Sequence, residues 1–258
     1  MRKIPSLFFL ALISSCYFNS IGHREIVEAQ KAIDSQKFKA AEKKLESALR
    51  SDLSLKLKVK ALHQLGVVKA FHLNDLYGAL EVFKQTYEIA DTSELKAKSS
   101  IYLADLYFNM LRDYGESAPL YKNLYNFEKE PKLKEKYFSR YIKSLFEIQK
   151  FTEVVINLKD IKISNNNFTL IILKSMSLYF LSNIKKAKSL LNKLEVMQGI
   201  TRDQLSEVKF FKGLIFEEQQ ELKLSYNEYL DIYQFFPNSS LIKLRIERLI
   251  HRKKSSKR

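Results

Sequence analysis

The chain has no tryptophan, one cysteine, four prolines, six glycines and four histidines among its 258 residues. So little glycine and proline starves a β-rich fold of its turn residues and favours helices joined by short connections. A single cysteine excludes an intrachain disulfide, so folding has to rest on the core alone. The histidines, His23, His63, His72 and His251, offer no metal set at a recognised spacing; His63 and His72 stand nine residues apart rather than one helical turn. No glycine-rich phosphate loop is present, and acidic pairs such as Glu217-Glu218 fit solvated helix faces in a chain this rich in Lys and Glu. No catalytic cluster, metal or cofactor is therefore expected.

Positive charge and apolar residues at helical spacing are what the chain does have. Lysine and arginine total 44 against 29 acidic residues, a formal +15, while a hydrophobic fraction of 46% is ordinary for a globular protein. A surface of this sign attracts polyanions, and the compartment decides which kind.

The N-terminus addresses the compartment. Arg2 and Lys3 precede the apolar run Leu7-Phe8-Phe9-Leu10-Ala11-Leu12-Ile13, a charged segment and short apolar block of the export type. The run is far below the roughly 20 residues that span a bilayer. It is followed by Ile13-Ser14-Ser15-Cys16, which resembles a bacterial lipobox. That resemblance implies diacylglycerol on the Cys16 thiol and cleavage before it, then acylation of the new amine. Cysteine suits this role because its thiolate is a strong nucleophile near neutral pH, and several acyl chains anchor stably where one would be marginal. Tyr17, rather than the aspartate associated with inner-membrane retention in enteric bacteria, points to the periplasmic face of an outer membrane. An exported chain does not normally meet nucleic acid, so the positive surface is expected to face anionic headgroups or an acidic protein.

Beyond Gly22 one phrase recurs, each time with four residues on one helix face. It reads Phe38-Ala41-Leu45-Ala48, Leu76-Ala79-Phe83-Thr86, Tyr114-Ser117-Tyr121-Leu124, Phe151-Val154-Leu158-Ile161, Ile184-Ala187-Leu191-Leu194 and Leu222-Ser225-Tyr229-Ile232. The second residues are spaced 38, 38, 37, 33 and 38 apart, a regularity that means stacked supersecondary units. Upstream of each phrase a second helix is expected, with Ala29, Gly66, Ala104, Ile142, Ser175 or Gly213 where the two helices touch. Thr201 to Gln204 fits a capping box, Pro131 a first helical turn, and Asn165-Asn166-Asn167 a loop. Leu241 to Arg252 reads as a terminal capping helix. The expected division is a leader over 1–15, a lipidated tether over 16–22, a helical repeat region over 23–252 and a basic tail over 253–258.

These phrases resemble the tetratricopeptide repeat. Gly213, Phe216, Leu222, Ser225, Tyr229, Ile232 and Pro237 fall where that family has its glycine, tyrosine, second aromatic, alanine, aromatic, alanine and proline. Gly66 to Thr86 matches next best, with one extra residue in the turn, while the family's tryptophan is missing from every copy. The resemblance implies an all-α, right-handed superhelical solenoid of about six helix pairs plus the C-terminal capping helix. It also implies a protein-binding groove along the first helix of each pair. Carried over copy by copy, that groove takes His63 and Val67 from the second copy, Ile101, Asp105 and Phe108 from the third, Lys143 and Phe146 from the fourth, and Ile172, Met176 and Tyr179 from the fifth. An apolar groove with lysines at its edge suits an extended segment or helix with acidic flanks.

Phe236-Pro237-Asn238-Ser239-Ser240 followed by Ile246-Glu247-Arg248-Leu249 also looks like the repeat ends of envelope-assembly lipoproteins. The expected role is a non-catalytic scaffold of outer-membrane barrel assembly or of a secretin ring. The alternative is a murein-associated or regulatory lipoprotein that recruits an enzyme.

Overall fold

The computed structural model describes residues 7–90 and 93–255; the side chains of residues 7–20, 93–95, 98 and 253–255 lie outside what it describes. Residues 1–6 of the expected leader, the Cys16 side chain and the side chains of the expected basic tail therefore fall outside the described residues. Among the described residues there is no strand. The helices are α1 (Leu7–Asp34), α2 (Phe38–Leu49), α3 (Leu55–Phe71), α4 (Leu76–Ile89), α5 (Ser93–Asp105), α6 (Tyr114–Phe127), α7 (Pro131–Glu147), α8 (Phe151–Asn157), α9 (Phe168–Phe180), α10 (Ile184–Glu195), α11 (Arg202–Glu218), α12 (Leu222–Ile232) and α13 (Ser239–Ser255). They form hairpins of successive helices, divided between two compact units, Met1–Tyr141 and Ile142–Arg258. Helix α1 runs unbroken through residues 16–22, the segment expected as a tether. Among the described residues no helix is long and apolar enough to cross a membrane.

Each hairpin is closed by the recurring phrase. Ala41, Ala79, Ser117, Val154, Ala187 and Ser225 all have 0% exposure, and Leu45, Phe83, Tyr121, Leu158, Leu191 and Tyr229 have at most 1%. Offsets of three and four place these residues on one face, and burying each large one stabilises the fold by about 1.5–3 kcal/mol. The compact residues of the first helices are buried too, and the reason is direct at two of them. A Cβ on Gly66 would lie 2.6 Å from Phe83 Cε1, and one on Gly213 would run into the Tyr229 ring. At the second site the Ser225 hydroxyl donates to the Gly213 carbonyl at 2.9 Å, tying the helices together through a buried bond.

The turn inside each hairpin repeats as well. Gln36, Asn74, Arg112, Gln149, Ser182 and Gln220 all take positive φ, between 53° and 61°, and none is glycine. In four turns the next amide reaches five residues back, Lys37 to Ala32, Lys150 to Leu145, Asn183 to Leu178 and Glu221 to Phe216, a Schellman closure. In the other two an aspartate amide reaches six back, Asp75 to Lys69 and Asp113 to Tyr107, each at 2.8 Å. The aspartate side chains then cap the following helices by accepting from the Gly78 and Glu116 amides. Before Arg112 the widened spacing extends into a π-helical segment, Leu106–Leu111.

The expected capping box is present: Thr201 and Gln204 bond reciprocally at 3.0 and 3.2 Å. Pro131 opens α7, and α12 ends before Pro237. Two expectations are revised. Asn165–Asn167 forms a short 3-10 turn, held by Asn167 Nδ2 donating to the Lys162 carbonyl at 3.0 Å, and leads straight into α9. The last helix is longer than expected, starting at Ser239 with Asn238 Oδ1 accepting from the Leu241 amide.

Candidate functional site

In the unit Met1–Tyr141 the expected groove residues lie on α3, on α5 and in the π segment that continues α5. His63 sets its ring edge-on to Tyr102 at 4.5 Å and to Phe83 at 6.4 Å. Val67 packs half-buried against the cluster of Ala70, Ala79 and Phe83, and Ile101 is half-buried. Asp105 and Phe108 converge on a group that sequence reasoning did not single out, Arg140 on α7. The Arg140 guanidinium donates to Asp105 and, at 2.6 Å, to the Tyr121 hydroxyl, while Tyr121 in turn donates to Asp105. The same guanidinium lies 5.3 Å from the Phe108 ring centre and 5.5 Å from that of Tyr121. Burial, and then the hydrogen bond to Asp105, push the Tyr121 hydroxyl far above its usual value, with Arg140 opposing. Asp105 is thus a structural clamp whose carboxylate is already engaged. Phe108 keeps part of its ring at the surface, edge-on to Tyr114 and Tyr121.

In the unit Ile142–Arg258 the expected residues lie on α7 and α9. Lys143 is exposed. Phe146 joins Phe151 at 5.5 Å and Phe180 at 6.2 Å, and Phe180, itself 50% exposed, lies 5.3 Å from Tyr179. This aromatic group edges a shallow hollow of about 290 Å³ that also takes in Glu147 and Gln149. Burial, and then a hydrogen bond to the Glu218 carboxylate, push the Tyr179 hydroxyl up to about 12. Met176 is half-buried against the core of α9 and α10. Ile172 is 3% exposed and belongs to that core, so it offers no free surface to a partner. The reason lies in the sequence of α9, which is apolar around most of its circumference and buries more than the one stripe a first helix usually buries.

Two further groups organise this unit. Lys174 on α9 donates to the carbonyls of Leu158 and Lys159 at 2.7 and 3.2 Å, just past the end of α8, where the Leu158 carbonyl also accepts from the Ile161 amide at 3.2 Å. Burial lowers its pKa, and the Asp160 charge opposes this. On the far side, Lys212 pairs with Glu195 at 2.7 Å and Glu228 at 2.9 Å, and Lys209 with Asp231 at 2.6 Å. Burial, the largest single influence, would pull both lysines down, but their hydrogen bonds to Asp231, Glu195 and Glu228 together with the charges of those carboxylates outweigh it and raise them. Glu217 stands beside the Tyr229 hydroxyl at 3.3 Å and Arg245 at 3.1 Å, the same three chemistries as the Tyr121 clamp.

Among the described residues no group of three or more His, Cys, Asp or Glu side chains is placed to hold a metal ion. What the chain presents is half-exposed aromatic and aliphatic side chains on first helices, fixed by rings and ion pairs behind them.

No protein-family model matches the chain, and no curated protein matches it. Among solved structures it is similar to a tetratricopeptide repeat protein from Parabacteroides merdae, at 13% identity and a TM-score of 0.43, over 90% of this chain and 99% of that one. It is also similar to the tetratricopeptide-repeat domain of P58(IPK), at 12% identity and a TM-score of 0.39, over 92% of this chain and 67% of that one.

Proposed function

We propose that the chain is a non-catalytic protein-binding scaffold, tethered to the periplasmic face of a bacterial outer membrane by acyl chains on Cys16, where it assembles or positions an envelope complex. The observation that carries the binding part is that first helices in both units keep aromatic and aliphatic side chains half-exposed on a rigid backing. His63, Ile101 and Phe108 do so in one unit, and Phe146, Met176 and Tyr179 in the other. Rigid, partly buried anchors of this kind dominate protein interfaces because little side-chain entropy is lost when they are covered. The tethering part is supported by Ile13-Ser14-Ser15-Cys16 after the apolar run.

Two measurements test the two parts separately. A photo-crosslinking amino acid at Phe146 or Ile101 in intact cells is expected to trap one discrete partner, and at Lys43 or Tyr77 to trap none; equal yields at all four would overturn the assigned face. A fatty-acid probe is expected to label the wild type and not Cys16→Ala, and labelling that survives the substitution would remove the anchor.

A further inference from the structure

We propose that the solvent-facing side of α10 is a second docking surface, and that its occupant is an acidic, amphipathic polypeptide segment. A groove of about 640 Å³ runs along this helix, lined by Ile184, Lys185, Lys188, Lys193 and Val196, with Gln219 at the end of α11 closing one side. It belongs to a second helix, so it is separate from the first-helix faces discussed above.

The charge on this side of α10 has one sign. Its four lysines are accompanied by a single carboxylate, Glu195, and that one is turned to α11, where Lys212 and Lys209 hold it at 2.7 and 3.6 Å. Among the described residues no carboxylate pairs with Lys185, Lys186 or Lys193. Lys188 is fixed instead of free: its ammonium sits 4.4 Å from the centre of the Phe216 ring, donates to Gln219 Oε1 at 3.2 Å and lies 3.8 Å from Glu221. The groove therefore has one pre-positioned cation in its wall and two unpaired ones on its rim. Its ends are apolar, with Val196 82% exposed and Ile184 half-buried.

This arrangement specifies the occupant by chemistry. Lys185 and Lys193 are eight residues apart, or about 12 Å at roughly 1.5 Å per residue. Carboxylates four residues apart in an extended chain span about 13 Å, and two turns of a helix span about 11 Å. An acidic segment with aliphatic side chains between its carboxylates would thus meet both rim lysines while covering Ile184 and Val196. A flat anionic bilayer could reach the rim but not enter the groove, so a polypeptide fits better than a membrane surface.

The test uses the full chain carrying Cys16→Ser, so that no acyl group contributes, and a fluorescent peptide of Glu-Leu-Ala-Ala repeats, whose carboxylates recur every four residues, as the probe. Binding is expected to weaken about tenfold on Lys185→Glu with Lys193→Glu, and about threefold on Val196→Asp. Lys43→Glu with Lys56→Glu, exposed lysines of the other unit, should leave it unchanged. Equal weakening by that control pair, or equal binding of an oligoglutamate of the same charge, would reduce the effect to diffuse attraction and overturn the proposal. It is overturned equally if the peptide ignores the wild type while vesicles of phosphatidylglycerol bind it and are released by the α10 charge reversal.

Discussion

The two units solve the same packing problem with the same three chemistries placed differently. In Met1–Tyr141 the buried Tyr121 is held by Asp105 and Arg140; in Ile142–Arg258 the buried Tyr229 is held by Glu217 and Arg245. The tyrosines occupy equivalent positions, four residues beyond Ser117 and Ser225. The carboxylates do not: Asp105 follows the compact residue Ala104 directly, whereas Glu217 stands four residues beyond Gly213. Glutamate, longer by one methylene, reaches the hydroxyl from the next turn of helix. What each unit preserves is a satisfied phenol at a fully buried position, not the residue that satisfies it, because an unpaired buried hydroxyl is costly while its partner can come from any nearby turn.

The compact residues differ as well, and this is where the comparison breaks most sharply. Gly213→Leu drives a side chain into the Tyr229 ring and is expected to cost about 3 kcal/mol by overpacking. Ala104→Gly in the other unit should cost only about 1 kcal/mol, mainly through helix propensity. Urea unfolding followed by circular dichroism measures both.

Tyr121→Phe removes a hydroxyl bonded to two charged groups and should cost about 2 kcal/mol, against about 1 kcal/mol for Tyr229→Phe, whose bond to Glu217 is 3.3 Å long. The pH dependence sharpens this. Both phenols are raised above the ordinary value of 10.0, first by burial and then by the adjacent carboxylate. Each therefore contributes stability that is complete below pH 10 and is lost as pH rises through the folded-state value. Thermal unfolding between pH 8 and 11 should fall less steeply in either variant than in the wild type, and an unchanged slope would show that the phenols do not carry the alkaline limb.

The smallest effect is expected at the turns. Gln36→Gly and Gln149→Gly replace left-handed non-glycine residues, each strained by about 1 kcal/mol, and should stabilise by about 0.5 kcal/mol after the added chain entropy of glycine. Asn74→Gly should gain less, because asparagine already tolerates that conformation. Differential scanning fluorimetry ranks the three.

The repeats were legible because burial obeys helix geometry: the small residue of every phrase, from Ala41 to Ser225, turned out to be wholly covered. The clamps were not, since Arg140 and Arg245 come from the helix after the hairpin they serve and their carboxylates share no repeat position. The left-handed turns were hidden for a simpler reason. A reader looks for glycine there, and these turns hold Gln, Asn, Arg or Ser because hairpin packing imposes the conformation. Of the expected groove residues, Phe146 and Tyr179 meet through Phe180, whose exposure the pattern did not signal. Asp105 ends α5 with its carboxylate engaged by Tyr121 and Arg140, and Ile172 is covered because α9 buries more than one stripe.

The widened turns also bear on how such a chain tolerates change in length. From the compact residue to the left-handed one is seven positions in four hairpins, as from Ala29 to Gln36, but eight from Gly66 to Asn74 and from Ala104 to Arg112. From the left-handed residue to the small residue of the next helix is five in all six. An extra amino acid in an α-helix would ordinarily swing everything after it by about 100° and expose what should be covered. Here the amides of Asp75 and Asp113 reach one residue further back, the helix loosens for its last turn, and Ala79 and Ser117 arrive in place. The ends of α3 and of the π segment after α5 are thus where this chain takes up an extra residue without disturbing the next hairpin.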